Sequence, residues 1–251
     1  KPPPEAVRDA VALAIPMSNC QTLIMRLLSC LLLAALAAAA PRTEAQLTGD
    51  AAKLHQNARD TGRFFADAAK LKPEVRPTTD GKSYCLIWKS VPAPKRWIVS
   101  LHGAGRPAKG FATDDLAIWH PHLKNREVGL VCLQWWLGTG DTPRDFLAPD
   151  QIYREISQAL DALGVVPGTV MLHGFSRGSA NSYAVVALDA SKGRKYFSLA
   201  VASSGGVSLD YPPNRALLTG AYGERPLKDT RWITVAGGRD PSPDRDGITG
   251  G

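Results

Sequence analysis

The sequence predicts an α/β fold, a mostly parallel doubly wound sheet with helices on both faces. Three observations carry that reading. Short apolar runs recur along the chain, and those before His102, Gly174 and Gly237 end in glycine turns. Strand-like runs alternate with stretches of helical periodicity, the pattern of a parallel sheet with crossover helices. A composition that is 44% hydrophobic over 251 residues suffices for one sizeable core.

Taken in order, Asp50 to Lys70 reads as one helix. Strands are expected at Ser83 to Lys89, Trp97 to His102 and Gly129 to Trp135, each a continuous apolar run of the kind a sheet buried on both faces requires. A helix is expected from Asp150 to Leu163, because Ile152, Ile156, Ala159, Leu160 and Leu163 share one face. Asp150 is its expected N-cap, and Gly164 lies just past its end. Val170, Met171 and Leu172 form the next strand, and Ala180, Tyr183, Ala184, Ala187 and Leu188 recur at helical spacing after it. Further strands are expected at Phe197 to Ala202 and Trp232 to Ala236. Residues 46–251 contain no internal repeat or long linker and are expected to form one domain.

Residues 1–45 read as upstream sequence followed by a secretory signal. Translation would begin at Met17 or Met25. Met25 and Arg26 open a basic start, an apolar run extends to Ala40, and small residues precede Gln46, which places cleavage after Ala45. The run, at about 14 residues, is short for a spanning helix, so no stable membrane span is expected. Cys30 follows Leu27, Leu28 and Ser29, but the apolar stretch continues well past it, which argues against a lipid anchor. The expected location is secreted or periplasmic.

The formal net charge is +7, yet Lys and Arg are scattered and no basic patch is interleaved with aromatics, so no nucleic-acid partner is expected. His and Cys spacing suggests no metal, and there is no phosphate-binding glycine loop, so no cofactor is expected. Past the signal two cysteines remain, Cys85 and Cys132, each inside an apolar strand. An exported protein permits a bridge between them, while their strand positions equally suit two buried thiols.

The most informative motif is Gly174-Phe175-Ser176-Arg177-Gly178, set between an apolar strand and a helix. A serine on such a sharp turn holds its hydroxyl above the sheet edge, and bulk at either glycine would strike the adjoining strand or helix. Ser176 is the candidate nucleophile. Upstream, a strand ends in His102-Gly103-Ala104-Gly105, a small-residue turn whose N–H groups can face a developing oxyanion. The backbone N–H groups of Ala104 and Arg177 are the candidate pair. A third strand ends in Asp240, a carboxylate suited to orienting an imidazole, with Asp244 and Asp246 as fallback positions. Trp135 and Trp136 follow a strand end and either line a substrate pocket or belong to the core. Phe175 is expected to shape the pocket beside the nucleophile.

These three strand ends, over roughly residues 82–240, resemble the α/β-hydrolase superfamily, and more closely its secreted esterase, dienelactone hydrolase and polyester-depolymerase-like branches. In that family the triad runs Ser, Asp or Glu, then His. The resemblance implies Ser176 as nucleophile, Asp240 as acid, and Ala104 and Arg177 as oxyanion donors. Every histidine here, His55, His102, His120, His122 and His173, precedes Ser176. A truncated C-terminus, an inactive relative or a substituting upstream histidine would each account for this. The expectation is a truncated chain that lacks the last strand and the histidine loop, is catalytically silent by itself and exposes an apolar sheet edge. The resemblance implies an exported serine hydrolase acting on a small-molecule or polymeric carboxylic ester. The alternatives are a non-catalytic binding module on the same scaffold, or a peptidase or thioesterase.

Overall fold

The apolar runs assemble into one sheet. In the computed structural model, which describes residues 46–103, 110–191, 194–207 and 211–237, its strands are β1 (Glu74–Pro77), β2 (Tyr84–Lys89), β3 (Arg96–Leu101), β4 (Val128–Leu133), β5 (Val170–Phe175), β6 (Phe197–Ser203) and β7 (Arg231–Val235). The helices are α1 (Gly49–Thr61), α2 (Phe65–Lys70), α3 (Ala112–Leu123), α4 (Pro149–Ala162), α5 (Arg177–Ser191) and α6 (Pro212–Leu218). Among the described residues the strand order is β1-β2-β4-β3-β5-β6-β7. β1 and β2 enter antiparallel, and the pairs from β4 to β7 are parallel.

The parallel sheet divides the core into two layers by side-chain alternation. One layer holds Cys85, Ile87, Val99, Leu101, Val131, Leu133, Val170 and Leu172, packed under Ile152, Ile156 and Leu160 of α4 and Val185 and Val186 of α5. The other holds Tyr84, Leu86, Ile98, Leu130 and Cys132, packed under Ala112, Leu116 and Leu123 of α3 and Leu54 of α1. Cys85 faces Leu133 in register and Leu86 faces Cys132, so the two cysteines sit on adjacent strands but point to opposite faces. Both are free and buried. Burial pushes the Cys85 thiol up to about 12 and lifts Cys132 well above the ordinary range.

Several elements depart from the sequence reading for identifiable reasons. The expected helix from Asp50 to Lys70 breaks into α1 and α2 at Gly62, which turns extended (ψ 129°) where a Cβ would sit 2.4 Å from the Ala58 carbonyl oxygen. α4 begins at Pro149 with Ala148 rather than Asp150 as N-cap. There Gln151 Oε1 accepts the Ala148 N–H at 2.9 Å, and Asp150 instead lies in the first turn, where an acid suits the helix dipole. α3 escapes a periodicity reading because Thr113 and Asp115, on its packed side, are polar yet buried, and Pro121 lies inside it. β1 carries a single apolar residue, Val75, and its Pro77 is tolerated on an edge strand. Gly164, in the left-handed region at φ 65°, ends the α4 segment as expected.

Glu155 anchors α4 to the turn before β2. It is 8% exposed, accepts the Thr79 N–H at 2.8 Å and the Thr79 hydroxyl at 2.6 Å, and pairs with Arg154. At the other side of the sheet, Tyr183 of α5 stacks on Trp232 of β7 with centroids 4.5 Å apart. β7 is the edge strand among the described residues, and its Ile233 and Val235 are each about half exposed (50% and 49%).

The opposed thiols give a direct expectation. Alkylation of the native protein should spare Cys85 and Cys132, both should react after denaturation, and peptide masses should show no linkage between them. Recovery of a Cys85–Cys132 cross-linked peptide from unreduced protein would contradict the register.

Candidate active site

The turn between β5 and α5 builds the site. Ser176 sits there with φ 53°, in the left-handed region that an L-residue with a side chain enters only under constraint. Its N–H donates to the Ser203 carbonyl at the end of β6 at 2.8 Å, and its carbonyl accepts the Ala180 N–H at 3.1 Å. The turn is therefore held from both sides while the side chain remains partly exposed.

Glycines are required wherever this turn meets its neighbours. A Cβ at Gly174 would lie 2.4 Å from Ser182 Oγ and 2.5 Å from the Gly178 carbonyl oxygen. One at Gly178 would lie 2.2 Å from the Leu101 carbonyl oxygen, so the first turn of α5 rests directly on the end of β3. One at Gly205, in the loop after β6, would lie 2.2 Å from the Ser176 carbonyl oxygen. The hydroxyls of Ser179 and Ser182 reinforce the contact by donating to the Gly205 and Gly178 carbonyls.

The position in the sheet follows from chain order. From β3 the chain crosses to β4 on one side and later returns to β5 on the other, so the loops after β3 and β5 meet at the carboxyl ends of adjacent strands, where open α/β sheets bind ligands. A Cβ at Gly103 would touch the Phe175 ring at 2.9 Å and lie 3.5 Å from Ser176 Cβ, so the turn after β3 abuts the elbow. A strained serine on a glycine-framed strand-to-helix turn of a mostly parallel sheet is the geometry that the elbow motif calls for. The chain has the α/β-hydrolase fold.

Solved structures of this hydrolase fold are similar over part of the chain. A bacterial heroin esterase is 16% identical, with 76% of this chain and 67% of that one covered at a TM-score of 0.44. EstE1, a thermophilic carboxylesterase from a metagenomic library, is 16% identical, with 64% of this chain covered at a TM-score of 0.44. An esterase of Pyrobaculum calidifontis is 14% identical, with 65% of this chain covered at 0.45. The chain spans 56% of the length of EstE1 and 55% of that of the Pyrobaculum esterase. No protein-family model and no curated protein matches the chain.

Of the expected site residues, Ser176, Phe175 and Arg177 come together at this turn. Phe175 is 50% exposed beside Ser176. The Arg177 N–H opens α5 and has no backbone acceptor among the described residues, as expected of a donor in a helix first turn. Ala104 and Asp240, with Asp244 and Asp246, lie outside the described residues, as does the whole 1–45 segment with Cys30.

Trp135 and Trp136 correct an expectation. They are 0% and 3% exposed and belong to the core rather than to a pocket wall. The Trp135 indole donates to the His102 carbonyl at 3.0 Å and packs on Phe146 at 4.9 Å, while the Trp136 indole donates to the Thr139 and Gly140 carbonyls at 3.1 Å each. The chain turns inward after β4, which the apolar run alone does not reveal.

The histidines are engaged elsewhere. His102 is buried; its Nδ1 pairs with the Gly103 carbonyl at 2.8 Å, its Nε2 with the Trp135 N–H at 3.4 Å, and burial pushes it down to about 4. His173 faces α3, with Nδ1 3.1 Å from Ser100 Oγ and its ring edge-on to Trp119; burial likewise holds it at about 4. His55 packs on Phe65 and Tyr84, His120 on Trp88, and His122 is exposed. None of these placements offers an imidazole to Ser176. Among the described residues no cluster of three His, Cys, Asp or Glu could hold a metal, and no helix is long and apolar enough to cross a membrane.

What sequence reasoning missed is the cleft beside the elbow. Arg177 extends over the Phe146 ring at 4.4 Å and is braced by Asp141 Oδ1 at 2.8 Å. Arg177 and Phe146, with Asn181, Tyr211, Pro143 and Pro212, line a cavity of about 400 Å³. Asn181, one turn past Arg177 in α5, is the residue in the sequence that could have pointed to it.

Two outcomes test this geometry. Gly205→Ala should destabilise the protein by about 3 kcal/mol or more, because the backbone at Ser176 cannot yield to the added methyl; an unchanged melting temperature would refute the close approach. The buried titratable groups predict an acid limb. His102 and His173 are neutral in the fold down to about pH 4. Exposed imidazole has a pKa of about 6.5, so the unfolded chain takes up protons first, and stability falls as pH drops from about 6.5 to about 4. Asp115 opposes them. Burial raises it to about 7, so its contribution is full below the unfolded carboxylate value of about 3.9 and lost as pH rises toward about 7. Burial raises Asp114 and Asp189 as well, so the separable quantity is a difference: on acidification from about pH 7 to about pH 4 the Asp115→Asn variant should lose more melting temperature than the wild type.

Proposed function

We propose that the protein is an exported serine hydrolase cleaving carboxylic esters through an acyl-enzyme. The observation that carries this is the strained Ser176 at the glycine-framed β5–α5 turn. The turn is locked through main-chain atoms on both sides, and it leaves Ser176 at the carboxyl end of β5, where open α/β sheets bind ligands.

Ser176 would attack the ester carbonyl. The Arg177 N–H, at the positive end of the 15-residue helix α5, would hold the oxyanion together with the Ala104 N–H from the turn after β3. Asp240 is the proposed acid, orienting an imidazole base. That imidazole would take the Ser176 proton and pass it to the leaving alcohol; the five histidines in the sequence all precede Ser176, and His102 and His173 are engaged elsewhere. Water would then release the acyl group and regenerate the serine. Phe175 forms an apolar wall at the mouth.

A second reading, a non-catalytic binding module on the same scaffold, is favoured by the engagement of His102 and His173 away from the elbow. Fluorophosphonate labelling separates the two. In a form of the protein that carries the imidazole base, Ser176 should be labelled within minutes, with the adduct on the Ser176 peptide, and Ser176→Ala should lower p-nitrophenyl ester turnover by about 10³-fold or more. Equal turnover by wild type and variant would remove Ser176 from the mechanism, and absence of both labelling and turnover would favour the binding module.

A further inference from the structure

The cation that follows Ser176 engages its neighbours through one of its three nitrogens. Arg177 Nη1 lies 2.8 Å from Asp141 Oδ1 and donates to the Asp141 carbonyl at 3.5 Å. A guanidinium carries five N–H donors, and the edge formed by Nε and Nη2 can grip a carboxylate with two parallel hydrogen bonds. On Arg177 neither Nε nor Nη2 donates to an acceptor among the described residues. Neither is sealed from solvent, and the side chain keeps 28% of its surface exposed.

The surroundings of this cation suit an anion with an apolar stem. The guanidinium lies 4.4 Å from the centre of the Phe146 ring, and both residues line the cavity of about 400 Å³. Stacking on the ring fixes the cation in place without using any of its donors. Arg177 is the one charged residue in the lining among the described residues, and Leu147, Pro149, Pro212 and Pro213 supply apolar walls. An anion entering there meets no carboxylate, and walls of low polarity weaken the screening that makes exposed ion pairs worth little. Asp141, at 49% exposure, stands outside the lining, so a second carboxylate can take the Nε and Nη2 edge while Asp141 keeps Nη1.

We propose that the Arg177 side chain is a specificity-determining cation, which takes the free carboxylate of a half-ester of a dicarboxylic acid while the apolar stem lies along the Phe146 and proline walls. The assignment rests on the ester-hydrolase reading for the position of the ester group, since Arg177 follows Ser176 directly, but binding of the carboxylate does not require turnover. Asp141 is then a competitor as well as a brace. Its charge offsets that of the guanidinium, so removing it strengthens the hold on a further anion. A guanidinium that only tied the loop at Asp141 to Phe146 would show no such gain.

The test uses ligand pairs on the folded chain. Monoethyl succinate and monoethyl adipate are titrated calorimetrically into Ser176→Ala protein, each beside its primary amide, ethyl succinamate or ethyl adipamate, which matches the carboxylate in shape and lacks its charge. At least one half-ester should bind about tenfold tighter than its amide, Arg177→Met should bring that ratio to about one, and Asp141→Asn should raise it about threefold or more. Three results would each overturn the assignment: equal affinities within both pairs, a ratio that survives Arg177→Met, as general attraction to a chain of net charge +7 would give, or a ratio that Asp141→Asn leaves unchanged or lowers. Should Arg177→Met fail to fold, the Asp141→Asn ratio decides. Turnover of p-nitrophenyl acetate by a form that carries the imidazole base reports on the hydrolase reading alone. Turnover without carboxylate discrimination overturns only the cleft assignment, and discrimination without turnover overturns only the hydrolase reading.

Discussion

The site depends on backbone meeting backbone at the carboxyl ends of three strands. The loop after β6 passes the Ser176 carbonyl at Gly205, the first turn of α5 rests on the end of β3 at Gly178, and the β5 strand clears the same helix at Gly174. Each approach leaves no room for a Cβ. Because these elements are locked through main-chain atoms, the left-handed conformation at Ser176 is over-determined, which is how a strained conformer persists in a folded protein.

That lock is supported from both sheet faces. Beneath α5, Val185 and Val186 pack with Val170, Leu172 and α4, and Tyr183 stacks on Trp232 of β7. On the opposite face, α3 covers Ser100 and His173 with Trp119, whose indole donates to Ser100 Oγ at 3.3 Å. The polar groups packed there, Ser100, Asp115 and His173, explain why α3 lacks a clean apolar stripe. They also explain why His173, three residues before Ser176, serves packing: alternation along β5 sends it to the α3 side.

The aromatic residues near the site divide by the direction of the chain. After β4 the backbone folds back, bridging Trp136 to Phe146, so two indoles enter the core; that of Trp135 holds the turn after β3 through the His102 carbonyl and ring, and that of Trp136 holds the 139–140 turn. Phe146 and Arg177 are left to form the cleft wall. A tryptophan pair after a strand is ambiguous in one dimension, since the same residues suit a pocket or a core, and only the position of the 137–146 loop resolves it.

Much of the framework was legible from local chemistry. Apolar runs marked β2 to β4, β6 and β7 to within a residue or two and the first half of β5, the periodic face of α4 marked its packed side, and Gly174, Ser176 and Gly178 marked the elbow, because short-range sterics and side-chain periodicity act within a few residues. The break at Gly62, the polar-faced α3 and the edge strand β1 were not legible, since each is stabilised by partners distant in sequence. By itself the sequence determined the alternating architecture and the identity of the strained serine, both consequences of residue size and spacing along the chain. Tertiary structure alone decided that Cys85 and Cys132 face apart, that the tryptophans are interior and that Asn181 lines a cleft, because register and crossover direction set which faces meet.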